Sequence, residues 1–403
     1  MSNENSPSYG RERLVEVFTQ GMLADQPPNL SPSYETLEAA AREALDPAAY
    51  AYVAGSAGAG RTADANRAAF SRWRLVPRML RDVSSRDLSV ELFGRTYPAP
   101  IALAPVGVQS IFHEDGELAS ARAAADLGLP FAASSVSSEP LEEIAAATGD
   151  APAWFQLYWS SDRELTASFV ERAADAGYEA IVVTVDTPVM GWRERDVEQG
   201  YLPFLDGEGV ANYFSDPVFR ETLAEPPEDN PDAAVMRFLD VFGDDSLTWD
   251  DLEWLCERTD LPVVVKGIVH PDDAALALEA GVDGIVVSNH GGRQVDDAVP
   301  ALEALPRVVE LVDGRVPVLF DSGIRRGADV LTALALGAEM VLLGRPYVYG
   351  LTIDGEDGVR EVCRNVLADL DLTLALTGHT TVADVDRSVL VDAENPSTTS
   401  TTD

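Results

Sequence analysis

Residues 284–294 read Gly284-Ile285-Val286-Val287-Ser288-Asn289-His290-Gly291-Gly292-Arg293-Gln294. An apolar run of strand length stops, and a histidine, two glycines and an arginine come directly after it. The run reads as a buried strand, because a strand covered on both faces loses the polar alternation of a half-exposed one. The residues after the run suit chemistry more than packing. A neutral imidazole can take a proton near pH 7. Glycines let the backbone turn and approach a ligand. The guanidinium three residues on can grip a carboxylate through two parallel hydrogen bonds. A proton acceptor beside an anion clamp implies a small carboxylic acid as substrate.

The same arrangement recurs outward from this segment. Candidate strands lie at 101–105, 131–134, 153–158, 180–186, 262–266, 284–288, 316–321 and 340–344, and Ala/Leu/Glu/Arg-rich helical stretches succeed nearly every one. Eight parallel strands with helical crossovers predict an α/β fold, a (β/α)8 TIM barrel, rather than an open doubly wound sheet. No G-x-G-x-x-G comes after the first strand, which argues against a dinucleotide fold. Upstream, residues 1–33 read as an N-terminal extension. Residues 34–90 read as a helical cap, with helices over 34–70. Two short strands flank Gly94 between Leu88 and Tyr97, a hairpin pattern. We treat 34–392 as one barrel domain.

The rhythm breaks once, after strand 4. Residues 199–247 form a long insert with Tyr201, Phe204, Tyr213, Phe214 and Phe219, then an acidic, proline-rich stretch over 225–232. A loop of that length reads as a lid, a subunit contact or an exposed insertion without a role. The Ser/Thr-rich tail, 393–403, is expected to be disordered.

In such barrels the site lies at the C-terminal strand ends. Those ends deliver Pro105-Val106-Gly107, Ser134, Gln156 and Tyr158, Thr184 and Asp186, Lys266, Ser288 and His290, Asp321-Ser322-Gly323, and Gly344-Arg345. The last two loops fit a phosphate, since glycines permit close backbone approach and helix N-termini attract anions. Arg345 adds charge there, and of Arg325 and Arg326 one reads as plain surface charge. A phosphate implies a mononucleotide cofactor, with Lys266, Gln156 and Thr184 facing its heterocycle. Lys266 is the only lysine among 29 basic residues and ends the apolar run Val263-Val264-Val265. Burying an ammonium costs free energy unless it is paired. Lys266 is therefore either a functional cation or a strand-end residue reaching for solvent.

Composition bounds the rest. Of 403 residues 46% are hydrophobic, enough for a large core, and 68 acidic against 29 basic residues give a net charge of −39. That balance disfavours nucleic acid and anionic membranes as partners. Abundant acid with almost no lysine suggests a high-salt, halophilic cytoplasm, or a biased genome composition. Two cysteines, Cys256 and Cys363, make no disulfide framework and fit a cytoplasmic setting. No basic-then-apolar leader opens the sequence, and no apolar run reaches the ~18 residues of a membrane span. His113, His270 and His379 sit in loops or helix starts without the spacing of a metal site, and no metal is expected.

Several motifs are specific together: Gln156-Leu157-Tyr158, Thr184-Val185-Asp186-Thr187-Pro188, Val265-Lys266-Gly267, residues 288–294, and Asp321-Ser322-Gly323-Ile324-Arg325. Through them, from about Tyr34 to about Arg387, the chain resembles the FMN-dependent α-hydroxy-acid oxidoreductases. Within that family it is most similar to the lactate 2-monooxygenases. That likeness lies in Gly191-Trp192-Arg193-Glu194-Arg195-Asp196, Tyr201-Leu202-Pro203-Phe204-Leu205 and residues 212–219.

The resemblance implies FMN as cofactor and a 2-hydroxy acid such as L-lactate with dioxygen as reactants. It implies His290 as the base, Asp186 as its partner, and Arg293 and Arg193 as a carboxylate clamp. Tyr158 and Tyr52 would bond the hydroxyl or carboxylate, and Lys266 would stabilise the reduced ring. Gly107 stands where several oxidases of the family have alanine, leaving room beside the ring or serving as a turn glycine. The resemblance further implies a homotetramer or homo-octamer. Oxidative decarboxylation to acetate, carbon dioxide and water is the expected outcome. Peroxide-releasing oxidation, electron transfer to a carrier, and a flavin-binding protein without turnover stand as alternatives.

Overall fold

The computed structural model describes residues 8–394. Of the tail expected to be disordered, all but Ala393 and Glu394 lies outside the described residues. Eight strands carry the fold: β1 Ile101–Leu103, β2 Phe131–Ser134, β3 Ala153–Leu157, β4 Ala180–Thr184, β5 Val263–Ile268, β6 Gly284–Val287, β7 Val318–Phe320 and β8 Met340–Leu343. They close into a barrel in the order β7-β8-β1-β2-β3-β4-β5-β6. Every pairing is parallel. The predicted (β/α)8 barrel is the fold, with each candidate strand in place.

The apolar runs are continuous because both faces of each strand are covered. Successive side chains alternate: Ile181 and Val183 meet the surrounding helices, whereas Ala180 and Val182 fill the barrel with Trp154, Leu319 and Met340. The strands Val90–Leu92 and Arg95–Tyr97 form the expected hairpin. Phe93 and Gly94 at its tip both have left-handed φ, the turn that matches strand twist. Phe93 and Tyr97 pack edge-on against Trp154, at 6.0 and 6.1 Å between ring centres. The hairpin thereby plugs the N-terminal mouth and leaves the other mouth for ligands.

Helices Tyr34–Ala44, Pro47–Ala54 and Arg61–Ser71 form the cap. Upstream of them, helix Tyr9–Leu23 lies along the C-terminal helix Arg345–Leu376, with ion pairs from Arg13 to Glu361 and from Arg364 to Glu16. The insert is a compact helical unit. It contains helices Ala211–Ser215, Pro217–Glu221 and Pro231–Val241. Phe204, Tyr213, Phe219 and Phe238 are buried together inside it. Asn212 ties it to the barrel: its amide donates to the Ser134 and Ser135 carbonyls at 3.3 and 3.1 Å and accepts from Leu141 N at 2.7 Å. Tyr213 also packs edge-on against Phe169 at 5.0 Å, so the rings of the insert extend the core outside the barrel, which the sequence pattern showed only as scattered aromatics.

Candidate active site

A cavity opens at the C-terminal mouth. Its wall includes His290, Tyr158, Lys266, Tyr52, Arg193 and Arg293. Pro105, Val106, Gly107, Asp321, Gly323, Arg325, Gly344 and Arg345 complete much of the rest. Asp186 stands behind His290. Ser134, Gln156, Thr184 and Ser288 are buried at the strand tops without bordering the cavity. Ser134 Oγ donates to Gln156 Oε1 at 2.9 Å, and Gln156 Nε2 donates to Thr184 Oγ1 at 3.0 Å, a relay across β2, β3 and β4.

His290 and Asp186 lie 2.7 Å apart, Nδ1 to Oδ1. Thr187, which sequence reasoning did not single out, donates to the same Asp186 oxygen at 3.0 Å. The other imidazole nitrogen, Nε2, is 3.4 Å from the Tyr158 hydroxyl on the cavity side. Burial lowers the His290 pKa below its ordinary value, against the upward pull of Asp186, so the ring is neutral and basic at pH 7. For Asp186, burial acts upward, but His290 and Lys266 outweigh it and hold the carboxyl at about 2. Burial pushes the Tyr158 hydroxyl up to about 12, which keeps its proton available for donation. Gly267 makes this pairing possible. A Cβ there would lie 2.6 Å from the Asp186 Cβ, and φ is +115° at a shift of strand register.

Lys266 is a buried paired cation, not a strand-end residue in solvent. Its Nζ lies 3.2 Å from Asp321 Oδ2 and donates to Ser288 Oγ at 3.1 Å. Burial pulls its pKa down, and Asp321 and Asp186 more than reverse this, so it stays charged.

The glycines after His290 have the left-handed φ of turning residues, and their missing side chains also make room for neighbours. A Cβ on Gly291 would meet the Arg345 guanidinium at 2.9 Å, and one on Gly292 would meet Ala63 N at 2.6 Å. They admit a cation and the cap helix Arg61–Ser71. Gly107, by contrast, is no left-handed turn residue: its Cβ would strike the Val136 carbonyl at 2.5 Å.

The rim is rich in arginine. Arg293 donates to the Tyr52 and Gly55 carbonyls at 2.6 and 2.8 Å. Arg193 donates to the Arg293 carbonyl at 3.3 Å and to Gln294 Oε1 at 3.0 Å. Arg345 donates to the Val53, Gly55 and Gly291 carbonyls at 3.0, 2.8 and 3.2 Å. Burial, then Arg193 and Arg345, push the Arg293 pKa down to about 9. Burial and Arg325 lower that of Arg345. Both guanidiniums remain protonated at neutral pH, crowded and bonded to carbonyls, so a bound anion would stabilise them.

These features fit a phosphorylated cofactor. Arg325 Nε is buried without a partner, and a Cβ at Gly344 would meet only Ala104, at 3.8 Å. Arg326, by contrast, is exposed and pairs with Asp329 at 3.5 Å, the surface charge that one of the two arginines was expected to be. The remaining histidines do structural work: His113 accepts from Asp115 N and His270 from Asp272 N, both at 3.1 Å. Among the described residues no group of His, Cys, Asp and Glu is arranged for a metal, and no helix is long and apolar enough to cross a membrane.

Sequence reasoning placed Ser322 at the rim without a role of its own, and missed Glu117. Ser322 Oγ accepts from Asn289 N and Gly291 N, at 3.2 and 3.0 Å. Glu117 is fully buried, and one of its oxygens accepts from Gln109 N at 3.0 Å and Ser138 N at 3.1 Å, joining the loops after β1 and β2. Its other oxygen has no partner, and burial raises the carboxyl to about 7.

Comparison with known proteins agrees with this geometry. The chain is 45% identical over 349 residues to an L-lactate oxidase of Lysinibacillus sphaericus (strain C3-41), covering 87% of this chain and 90% of that protein. It is 44% identical over 379 residues to an FMN-dependent alpha-hydroxy acid dehydrogenase of Penicillium citrinum, covering 93% and 94%. A crystal structure of mandelate oxidase matches with a TM-score of 0.79 and 42% identity over 88% of this chain and 97% of that one. The model of the FMN-dependent dehydrogenase family matches residues 41–392, and with the closed parallel barrel in place the chain belongs to that family, whose cofactor is FMN.

Proposed function

We propose that the protein oxidises L-lactate or a similarly short 2-hydroxy acid with dioxygen, retaining the 2-oxo acid until it is decarboxylated, so that acetate, carbon dioxide and water leave. The observation that carries the oxidation is the His290–Asp186 pair, 2.7 Å long, with Nε2 facing the cavity beside Tyr158 and the arginine rim.

Each role rests on the atoms present. Arg293 and Arg193 clamp the substrate carboxylate, while Tyr158 and Tyr52 bond its carboxylate or hydroxyl. His290 Nε2 accepts the substrate proton. Asp186 stabilises the resulting imidazolium and fixes the ring through Nδ1, the orienting role of a buried carboxylate. When bound, FMN supplies the acceptor for the two electrons leaving the substrate. Arg325, Arg345, Gly323 and Gly344 would hold its phosphate. Pro105, Val106, Gly107 and Lys266 would border its ring system, supported by Ser134, Gln156, Thr184 and Ser288. Lys266 provides a fixed positive charge in the wall, suited to an electron-accepting ring.

Retention of the oxo acid is supported by the insert. Its Phe242 packs edge-on to Tyr158 at 5.6 Å, and Glu208 bonds Ser110 in the loop after β1. The stretches that resemble lactate 2-monooxygenases border or lie in that insert. A second reading, oxidation with release of hydrogen peroxide, is favoured by the likeness to the L-lactate oxidase of Lysinibacillus and by Gly107, whose missing Cβ accommodates Val136 rather than open space.

One experiment separates the readings: incubate FMN-loaded protein with L-lactate under air and quantify acetate, pyruvate and peroxide together. Acetate without free peroxide is expected. Equal pyruvate and peroxide would make it an oxidase. Bleaching under nitrogen with neither product in air would make it a dehydrogenase. No bleaching with any short 2-hydroxy acid would refute the substrate class.

A further inference from the structure

His290 carries its imidazole on an unusual backbone. Its φ is +58°, and Gly291 and Gly292 come next at +65° and +78°, three successive residues in the left-handed region. Glycine enters that region freely, but a histidine does so at a cost that the surroundings must offset. Ser288 Oγ holds the His290 N–H at 3.0 Å, and Ser322 Oγ holds those on either side. These contacts come from the barrel. One more comes from the cap.

Asn66, on helix Arg61–Ser71, is 2% exposed. Its Nδ2 donates to Asn289 Oδ1, and Asn289 Nδ2 donates back to Asn66 Oδ1, both at 2.8 Å. Asn289 Oδ1 also accepts from Gly292 N at 3.2 Å, and its Nδ2 also donates to the Val299 carbonyl at 3.1 Å. Asn66 Oδ1 receives Ala301 N at 3.0 Å. The Asn289 amide therefore has both protons and both acceptor positions in use, and its orientation is fixed. The residue before the base and the residue two after it are held by one amide, itself held by the cap across 223 positions of sequence.

We infer that Asn66 is a positioning residue for the proposed base: through the paired amides it fixes the left-handed backbone of residues 290–292, and so aims the His290 imidazole. The inference rests on the proposed role of His290. The Asn66 side chain bonds Asn289 and Ala301 and does not border the cavity; its backbone carbonyl lies behind Gly323 in the wall.

The test uses FMN-loaded Asn66→Asp, which keeps the oxygen accepting from Ala301 but sets a second oxygen against the Asn289 carbonyl. Asn66→Ser takes its place if the Asp variant does not accumulate. The rate at which saturating L-lactate bleaches the flavin without air is expected to fall roughly 10- to 100-fold, the order of effect of a misplaced reacting group. KM and the FMN dissociation constant are expected to change less than about threefold, because the groups that bind are untouched. A rate within about twofold of the unmodified protein would overturn the inference. So would a parallel loss of KM, FMN affinity and melting temperature, which would mark Asn66 as only a packing residue. If the unmodified protein is bleached by no 2-hydroxy acid, the proposed function fails. A crystal structure of the variant then decides this inference alone: His290 leaving the left-handed region supports it, and an unchanged backbone refutes it.

Discussion

The two ends of the cavity differ in how their charge is matched. At the His290 end the charges are matched within the protein: Lys266 lies against Asp321 and also holds Asp186, which the neutral His290 ring bonds at 2.7 Å. At the rim Arg293 and Arg345 bond backbone carbonyls. Carbonyl dipoles orient a guanidinium but leave its net charge uncancelled. The first end is organised before ligand arrives, as catalysis by fixed charges requires. The second completes its electrostatics only with an anion in place. Turnover and binding should therefore be separable by mutation.

The sharpest break would come at the matched end. His290→Gln should lower kcat about 10⁴-fold, within the range attributed to positioned bases, while the yellow flavin spectrum persists. Loss of the flavin in that variant would contradict the separation. At the rim, Arg293→Lys should raise KM for L-lactate about 10- to 100-fold with a smaller change in kcat, since an ammonium cannot make two parallel bonds to a carboxylate. Equal effects on kcat and KM would place Arg293 among the reacting groups. Arg345→Gln should weaken FMN retention about tenfold on ultrafiltration, with KM measured on loaded protein nearly unchanged.

The pH profile sharpens the same contrast. Below the His290 pKa, itself below the ordinary 6.5, the imidazole is protonated and cannot accept a proton. The ratio kcat/KM should therefore rise with pH through a midpoint under 6.5 and level off near neutrality. Asp186, held at about 2, stays ionised throughout and adds no second limb. A midpoint well above 7 would show that Asp186 dominates over burial.

The smallest effect belongs to Glu117, behind the loops. Its folded pKa of about 7 exceeds the ordinary 4.5. Its stabilising contribution is therefore complete below 4.5 and is lost as pH rises through about 7. Glu117→Gln removes the charge and should stabilise the fold by about 1–3 kcal/mol at pH 8, but little at pH 5, in chemical denaturation. A constant difference at both pH values would show that the carboxyl titrates alike in the folded and the unfolded chain.

What could be read ahead of the structure divides along similar lines. The strands were visible because each is a short continuous apolar run, and the site residues because barrel geometry delivers every strand end to one rim. Asn66 was invisible: nothing near residue 66 marks an amide that pairs with one 223 positions later. Ser322 and Glu117 act through backbone N–H groups, which have no signature in side-chain spacing. The helices Ala211–Ser215 and Pro217–Glu221 are too short for a helical period to emerge. Gly291 and Gly292 were legible as turning residues, whereas the room they leave for Arg345 and Ala63 was not.

The carbonyls of Tyr52, Val53 and Gly55 end the helix Pro47–Ala54, and the groups that satisfy them are Arg293 and Arg345. Strand Trp73–Leu75 likewise pairs with Leu390–Asp392. A ribosome delivers the cap hundreds of residues before its partners exist. During synthesis Leu37, Val53 and Phe70, buried in the finished fold, have nothing to cover them. Docking of the cap is then a late, long-range event, and such closures fold slowly and expose apolar surface meanwhile. The site is assembled last, so the nascent chain is expected to depend on chaperones longest in the segment that makes it an enzyme.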